Sequence, residues 1–142
     1  MSGIFSVHRV VADSAGTSAT QADGSPTQIA ALARYLDAGD AHTCVVLDND
    51  AVKCWGLNDD GQLGLGDTDA RGDGAGEMGD ALPAVSLGLG AGVRVVAIAA
   101  GDAHTCVLLS SGAVQCWGAG ANGRLGSGNE DSRGDEAGEM GA

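Results

Sequence analysis

Aromatic and basic residues are scarce in this chain of 142 residues, and both shortages limit what it can be. Aromatics make up 3% of the chain and 25 residues are glycine, so much of the 44% hydrophobic content is alanine, which buries little area. Only 7 lysines and arginines stand against 19 acidic residues, which gives a formal charge of −12. Nucleic-acid binding depends on basic side chains that neutralise phosphates, so the composition argues against it. An acidic surface instead favours solubility and attracts basic partners.

Long apolar runs are also missing. No stretch of 18 apolar residues occurs, so no membrane-spanning helix is predicted. Near the start, His8 and Arg9 interrupt the apolar residues, and no secretory signal is predicted there. These observations leave the compartment of the protein unknown.

The sequence does contain a duplication. Gly-Asp-Ala-His-Thr-Cys begins at Gly39 and again at Gly101, and Cys-Trp-Gly begins at Cys54 and again at Cys116. The offset stays constant, without insertion or deletion, which is typical of stacked structural repeats. A residue present once per repeat tends to build the repeat rather than to perform chemistry. We therefore predict structural roles for four repeat positions: His42, Trp55, His104 and Trp117.

Each copy also carries the pattern of a β-hairpin. In the second copy, residues 105–109 and 113–117 are β-prone runs separated by a three-residue loop that ends in Gly112, where a left-handed residue commonly closes such a turn. Asp50 takes that position in the first copy and tolerates the same geometry. Symmetric pairing about each loop then places Cys44 opposite Cys54, and Cys106 opposite Cys116.

Two more strands are predicted in each unit. Residues 93–99 read as a buried strand, and residues 82–87 read as a short edge strand because they contain Pro83. In the first copy, Ser25 and Pro26 resemble a helix start, whereas alignment with the second copy favours a strand over 31–38. Four short strands with glycine-rich turns are the pattern of a β-propeller blade. The predicted fold is therefore all-β, with two four-stranded blades.

These residues carry a family resemblance. Ala-Gly-x-x-His-Thr-Cys, the hairpin, Cys-Trp-Gly and Gly-Gln-Leu-Gly-x-Gly resemble the bacterial form of the regulator of chromosome condensation repeat. The loop that contains Arg-Gly-Asp and Gly-Glu-Met-Gly is similar to that of members described as alpha-tubulin-suppressor-like. The resemblance covers residues 38–80 and 82–142, and it implies a propeller that typically has seven blades. Two blades cannot close such a ring, so we expect a fragment of a larger propeller or copies that self-associate into one ring.

The resemblance also implies an organisation and a role. We predict an N-terminal lead-in at residues 1–28, a first repeat at 29–81 and a second repeat at 82–142. The expected function is noncatalytic interaction with a protein partner that the sequence does not identify. Propellers bind through loops at the ends of their strands, so the acidic loops at 56–81 and 118–142 are the candidate surface. No catalytic motif and no cofactor motif occurs, and we expect neither enzyme activity nor a cofactor.

The four cysteines leave two interpretations open. Each opposed pair could form a disulfide, or it could remain as buried thiols that act as small hydrophobic groups. Disulfides would suit an extracytoplasmic origin of the repeat. His42, Cys44 and Cys54 could also be three zinc ligands, but no fourth ligand is fixed nearby.

The first acidic loop offers weak metal candidates in Asp67, Asp69, Asp73 and Glu77. Arg71 and Met78 stand where a standard calcium loop needs oxygen ligands, so a solvated loop is the expectation. The alternative function is a metal-dependent structural or envelope repeat protein that binds calcium or zinc. We interpret the Arg-Gly-Asp tripeptide as a turn signal, because so short a motif recurs by chance.

Overall fold

The described part of the chain is built from β-strands. The computed structural model describes residues 19–20, 26–27 and 32–140. Two short strands, β1 (Ala19–Thr20) and β2 (Pro26–Thr27), pair antiparallel within a unit that comprises residues 1–30. A separate compact unit comprises residues 31–142. Among the described residues, no helix is long and apolar enough to cross a membrane.

The larger unit contains two three-stranded antiparallel sheets. The first sheet joins β3 (Ala33–Ala38), β4 (His42–Leu47) and β5 (Val52–Gly56) in that order. The second joins β6 (Val95–Ala100), β7 (His104–Leu109) and β8 (Val114–Gly118) in the same order. Two short 3₁₀ turns, Gly79–Ala81 and Ala121–Gly123, lie outside the sheets. The predicted all-β fold with two blade-like sheets is confirmed.

Both hairpins have the predicted register. Cys44 pairs with Cys54, and Cys106 pairs with Cys116. The turns close at Asp50, with φ of 64°, and at Gly112, with φ of 87°. An aspartate can adopt this left-handed geometry at a modest cost, so the same turn forms in both copies.

The number of strands per sheet differs from the prediction. Residues 82–87 form no strand, and their one bond to the first sheet runs from the Val85 N–H to the Val52 carbonyl, at 2.8 Å. Pro83 has no N–H to offer to a ladder. The buried side chains of this segment are Leu82, Val85 and Leu87, whose spacing departs from the alternation of a strand. Each sheet therefore has three strands instead of four.

The ambiguity over residues 25–38 is partly resolved. Residues 33–38 form β3, so the strand suggested by alignment with the second copy is confirmed there. Pro26 and Thr27 lie in β2 rather than in a helix, and most other residues of the helix alternative and of the predicted lead-in lie outside the described residues. The domain boundaries at residues 29 and 82 stay predictions.

The two sheets pack against each other through alternate side chains. In the first sheet the buried residues of β4 and β5 all have even numbers, and in the second sheet the buried residues of β7 all have odd numbers. Successive side chains of a strand point to opposite faces of the sheet. The first repeat therefore contributes its even-numbered face to the core, and the second repeat contributes its odd-numbered face. The core between them contains Cys44, Val46, Val52, Cys54, Leu63, Val85, Leu87, Val95, Val107, Leu109 and Trp117.

Candidate interaction surface

A buried chain of hydrogen bonds joins the two repeats. The Thr105 hydroxyl donates to the Gln62 carbonyl at 3.0 Å, and the Trp117 indole N–H donates to the same carbonyl at 2.9 Å. His42 Nε2 lies 2.8 Å from Thr105 Oγ1. Because the single hydroxyl proton is used on Gln62, His42 Nε2 carries a proton and donates to Thr105. The repeat positions His42 and Trp117 thus hold one repeat against the next.

The environment of His42 favours its neutral form. Burial lowers the pKa of its imidazole, and the neighbouring His104 lowers it further, while Asp37 acts in the opposite direction. The cost of burying a cation thus outweighs the attraction of the Asp37 carboxylate. His42 is therefore suited to a fixed structural hydrogen bond rather than to proton transfer.

The other two repeat positions lie in more open surroundings. Trp55 is half-buried and lies beside Gly72 and Met78 of its own repeat, while His104 is half-buried beside Gly101. Their counterparts Trp117 and His42 are nearly inaccessible. The difference arises because the two sheets pack on each other through one face each, and His42 and Trp117 lie on those faces.

The cysteines are joined across each hairpin. Cys44 and Cys54 form one disulfide and Cys106 and Cys116 the other, each with 4.1 Å between the α-carbons. The predicted pairing across the hairpins is confirmed. The sulfur atoms of the trio considered for zinc are thus bonded to each other, and His42 points to Thr105. The first pair is fully buried, whereas both cysteines of the second pair are half-buried.

The acidic loop after β5 is organised by a buried asparagine. The Asn58 amide donates to the carbonyl oxygens of Asp67 at 2.8 Å and Asp69 at 3.1 Å, and its oxygen accepts from the Leu63 N–H at 2.9 Å. Asn58 is not among the site residues that the sequence predicts. Comparison of the repeats gives no signal for it, because Gly120 occupies the equivalent position. The only sign of its role in the sequence is its position two residues after the end of β5.

Arg71 of the Arg-Gly-Asp tripeptide is bound within its own loop. Its guanidinium forms an ion pair with Asp67 at 2.6 Å and donates to the carbonyl oxygens of Asp69 and Ala70. Gly72 follows with φ of 92°, a left-handed geometry that favours glycine. The tripeptide therefore forms a turn whose arginine is engaged internally, while Asp73 is exposed.

A glutamate fixes the turn in each repeat. Glu77 accepts from the backbone N–H groups of Gly74 at 2.9 Å and Gly72 at 2.8 Å, and these bonds lower its pKa. In the second repeat, burial acts to raise the pKa of Glu139, but bonds from the backbone of Glu136 and Gly134 lower it overall. The Gly-Glu-Met-Gly segments are therefore closing elements of these turns.

The four weak metal candidates do not converge on one point. Asp67 is engaged with Arg71, Glu77 accepts backbone hydrogen bonds, and Asp73 is exposed. Among the described residues, no group of three or more His, Cys, Asp or Glu side chains is arranged to hold a metal ion.

The acidic loops of both repeats contact each other. The Gly66 N–H donates to the Gly134 carbonyl at 2.9 Å, so the second loop lies against the first. The first loop, residues 56–81, carries seven acidic residues against one arginine. The exposed acidic residues of the two loops are Asp59, Asp69, Asp73, Asp80, Glu130, Asp131 and Glu136. These exposed carboxylates outnumber the arginines of the two loops, so the loops carry a net negative charge.

Comparison with known families and proteins agrees with this architecture. A family profile described as "Regulator of chromosome condensation (RCC1) repeat" matches residues 34–62 and 95–124, and a second profile of the same description matches residues 50–108. The chain is 34% identical over 100 residues to the ultraviolet-B receptor UVR8 of Arabidopsis thaliana. The matched segment covers 70% of this chain and 20% of that protein. It is 36% identical over 94 residues to the E3 ubiquitin-protein ligase HERC2 of Homo sapiens. That match covers 66% of this chain and 2% of the ligase.

Solved structures show the same fold. The crystal structure of human WBSCR16 matches with a TM-score of 0.54 and 23% identity, over 72% of this chain and 25% of that one. The crystal structure of Prp20p from Saccharomyces cerevisiae matches with a TM-score of 0.55 and 19% identity, over 78% of this chain and 26% of that one. The matched part of the chain therefore spans about a quarter or less of each of these proteins.

Proposed function

The chain belongs to the regulator of chromosome condensation repeat family, and on that basis we propose that it is a noncatalytic protein-interaction module, part of a β-propeller. The acidic loops after β5 and β8 are the surface that binds the partner. Their turns are held by internal hydrogen bonds, so the loops present a fixed arrangement of carboxylates. A preorganised surface loses less conformational entropy on binding.

A basic protein is the partner that this surface fits best. Complementary charge speeds the encounter and disfavours partners of the same sign. The observation that carries the proposal is the excess of carboxylates over basic groups in residues 56–81. Prp20p, which shares the fold, has binding properties to Gsp1p and histones, and histones are a convenient basic probe.

Binding of labelled core histones to the chain tests the proposal. We expect saturable binding that weakens as salt is raised, because the exposed charges are screened. Asp59 is exposed in the loop after β5, so Asp59→Lys should weaken binding by about threefold or more, since a close like-charge contact opposes association. Fluorescence anisotropy at two salt concentrations measures both effects.

Asp48 provides the matched control. It is also exposed but lies in the hairpin turn, at the opposite end of the strands from the acidic loop. Asp48→Lys makes the same change in net charge and should leave the affinity nearly unchanged. Equal weakening by the two variants would show that only net charge matters, and the absence of binding would refute a basic partner.

The metal-dependent alternative has its own measurement. Elemental analysis of the purified chain should find no stoichiometric calcium or zinc under the proposal. One tightly bound ion per repeat would favour the alternative instead.

A further inference from the structure

Three charged residues meet at the turn of the first hairpin. Arg34 Nη1 lies 3.1 Å from Asp50 Oδ1, and Arg94 Nε lies 2.9 Å from Asp50 Oδ2. Arg34 lies near the start of β3, and Arg94 immediately precedes β6. Both arginines, called the arginine pair below, therefore converge on one carboxylate at the end of the strands opposite the acidic loops.

None of these three residues is duplicated in the other copy. At the constant offset between the copies, Val96 corresponds to Arg34, Leu32 to Arg94 and Gly112 to Asp50. Positions that both copies share build the repeat, whereas this cluster occurs once. The cluster is therefore a feature of this chain rather than of the repeat.

The cluster carries one positive charge in excess. Two guanidinium groups face one carboxylate, and the exposed Asp48 of the same turn forms no ion pair with either arginine among the described residues. A guanidinium has five N–H donors. Arg94 uses only its Nε–H, so neither of its terminal nitrogen atoms has a protein acceptor within the part of the chain that the structure describes. The cluster thus lacks one negative charge and has the donors to bind it.

The arginine pair is accessible and partly fixed. The side chain of Arg94 is 54% exposed and that of Arg34 is 28% exposed. The Arg34 guanidinium lies over the Tyr35 ring at 5.2 Å from its centre, and Arg34 Nη2 lies 3.5 Å from the Tyr35 hydroxyl. Asp50 and Tyr35 hold the arginine pair in place, which reduces the conformational entropy lost on binding.

We propose that the arginine pair binds a carboxylate side chain of a partner protein. One carboxylate makes the cluster neutral, whereas a dianion such as phosphate leaves it negative in a chain that is already acidic. A guanidinium binds a carboxylate through two parallel N–H donors, and the terminal nitrogen atoms of Arg94 are available for this geometry. The surface is open, which suits a side chain presented by a protein better than a small molecule that needs an enclosing pocket.

Titration of the full chain with two short peptides tests the proposal. The probes are Gly-Glu-Gly and Gly-Gln-Gly, each acetylated and amidated at its ends so that only the glutamate is charged. NMR signals of the arginine Nε–H groups report on each guanidinium separately. We expect a saturable shift of the Arg94 signal with the glutamate peptide and no saturable shift with the glutamine peptide, because an amide brings no charge.

Opposite changes within the cluster should have opposite effects. Asp50→Asn removes the carboxylate that competes for the arginine pair, so it should tighten binding of the glutamate peptide by about threefold or more. Asparagine also tolerates the left-handed geometry of this turn. Arg94→Gln removes the free donors and should weaken binding by about threefold or more.

Two exposed residues outside the cluster provide matched controls. Asp102→Asn and Arg124→Gln make the same changes in net charge as the two test variants. Each control should change the affinity less than about twofold, because surface charges at a distance are screened by salt. Circular dichroism checks that all four variants fold.

Three outcomes would overturn the proposal. They are equal shifts with the two peptides, an unchanged affinity in Arg94→Gln, and an affinity of Asp50→Asn that rises no more than that of Asp102→Asn. The histone experiment is independent, because it concerns the opposite end of the strands and a ligand of opposite charge. Histone binding can therefore fail while the glutamate peptide binds, and the reverse.

Discussion

At the scale of single residues, the junction between the repeats depends on a few polar atoms inside an apolar core. The Gln62 carbonyl accepts from both Thr105 and Trp117, and His42 completes the chain by donating to Thr105. A buried polar group that loses its partner is costly, so each of these atoms needs the others in place. The string His-Thr-Cys is repeated because it supplies both sides of this junction.

The stability of the chain should therefore depend on pH through His42. The folded-state pKa of His42 is lowered from its ordinary value of about 6.5, so protons bind the unfolded chain more readily. The contribution is fully present above about pH 6.5 and is lost as the pH falls through the lowered pKa. Urea unfolding at a series of pH values measures this loss.

His42→Gln keeps a side-chain N–H for Thr105 but does not titrate. We expect this variant to show a much flatter free energy of unfolding in the same pH window. His104→Gln is the control and should retain most of the dependence, since His104 donates to no further repeat within the described residues. A pH dependence that is identical in wild type and His42→Gln would contradict the assignment.

At the scale of elements, each hairpin is a disulfide-linked unit with a defined turn. The loop residues set the register, and the register places the cysteines opposite each other at 4.1 Å. The two disulfides span equal sequence separations, so they restrict the unfolded chain by similar amounts, about 2–3 kcal/mol each in a chain-entropy model. Their surroundings differ, because the second repeat covers only the first hairpin.

The two disulfides should consequently be reduced in a fixed order. Cys106 and Cys116 are half-buried, whereas Cys44 and Cys54 are fully buried. Thiol–disulfide exchange requires access of the attacking thiolate, so mild reductant should open Cys106–Cys116 first. Alkylation at timed intervals, followed by peptide mass spectrometry, gives the order.

The opposite order, or simultaneous reduction, would indicate that the first hairpin is not protected by the second repeat. Alkylation without reductant provides the control for the starting state. Complete alkylation under denaturing conditions would show that the cysteines of that preparation are reduced thiols.

At the scale of the whole larger unit, the two repeats meet at a close backbone contact. A β-carbon placed on Gly39 would overlap the carbonyl oxygen of Gly101, so the strands approach more closely than a side chain permits. Nearby, the Ala100 N–H donates to Asp37 at 2.8 Å. The two sheets are thus joined through their first strands, β3 and β6, as well as through the buried core.

Gly39→Ala should disturb this contact and destabilise the chain by about 2 kcal/mol, in the range for overpacking. Gly101→Ala is the matched control, because the added methyl would meet the half-buried ring of His104, which can turn away. Urea unfolding measures the difference, and the emission of buried Trp117 reports on the junction. Equal destabilisation by the two variants would contradict a special role for the contact at Gly39.

Local sequence patterns predicted the hairpins well because their determinants are close in the chain. A β-prone run, a three-residue loop with Asp50 or Gly112 at its end, and a second run define register and cysteine pairing together. The prediction failed at residues 82–87, where Pro83 and the spacing of Leu82, Val85 and Leu87 prevent a regular ladder. Those side chains are placed by the two sheets that enclose them, which are far apart in sequence.

The organisation of the candidate surface was only partly predictable. The acidic composition of residues 56–81 is visible in the sequence, and so is the turn at Gly72. The role of Asn58 is not visible, because its hydrogen bonds reach carbonyl oxygens nine and eleven residues away. Which carboxylates are engaged and which are exposed depends on these contacts.

The repeat, its hairpin strands, its turns and the opposed cysteines can all be predicted from the sequence, since each follows from local periodicity or from comparison of the two copies. The burial of each residue depends on the tertiary structure and cannot be predicted by comparing the two copies. Identical positions differ in burial because the second repeat covers the face of the first, while its own equivalent face carries an open groove. Burial is a property of neighbours in space, so two copies of one sequence acquire different roles.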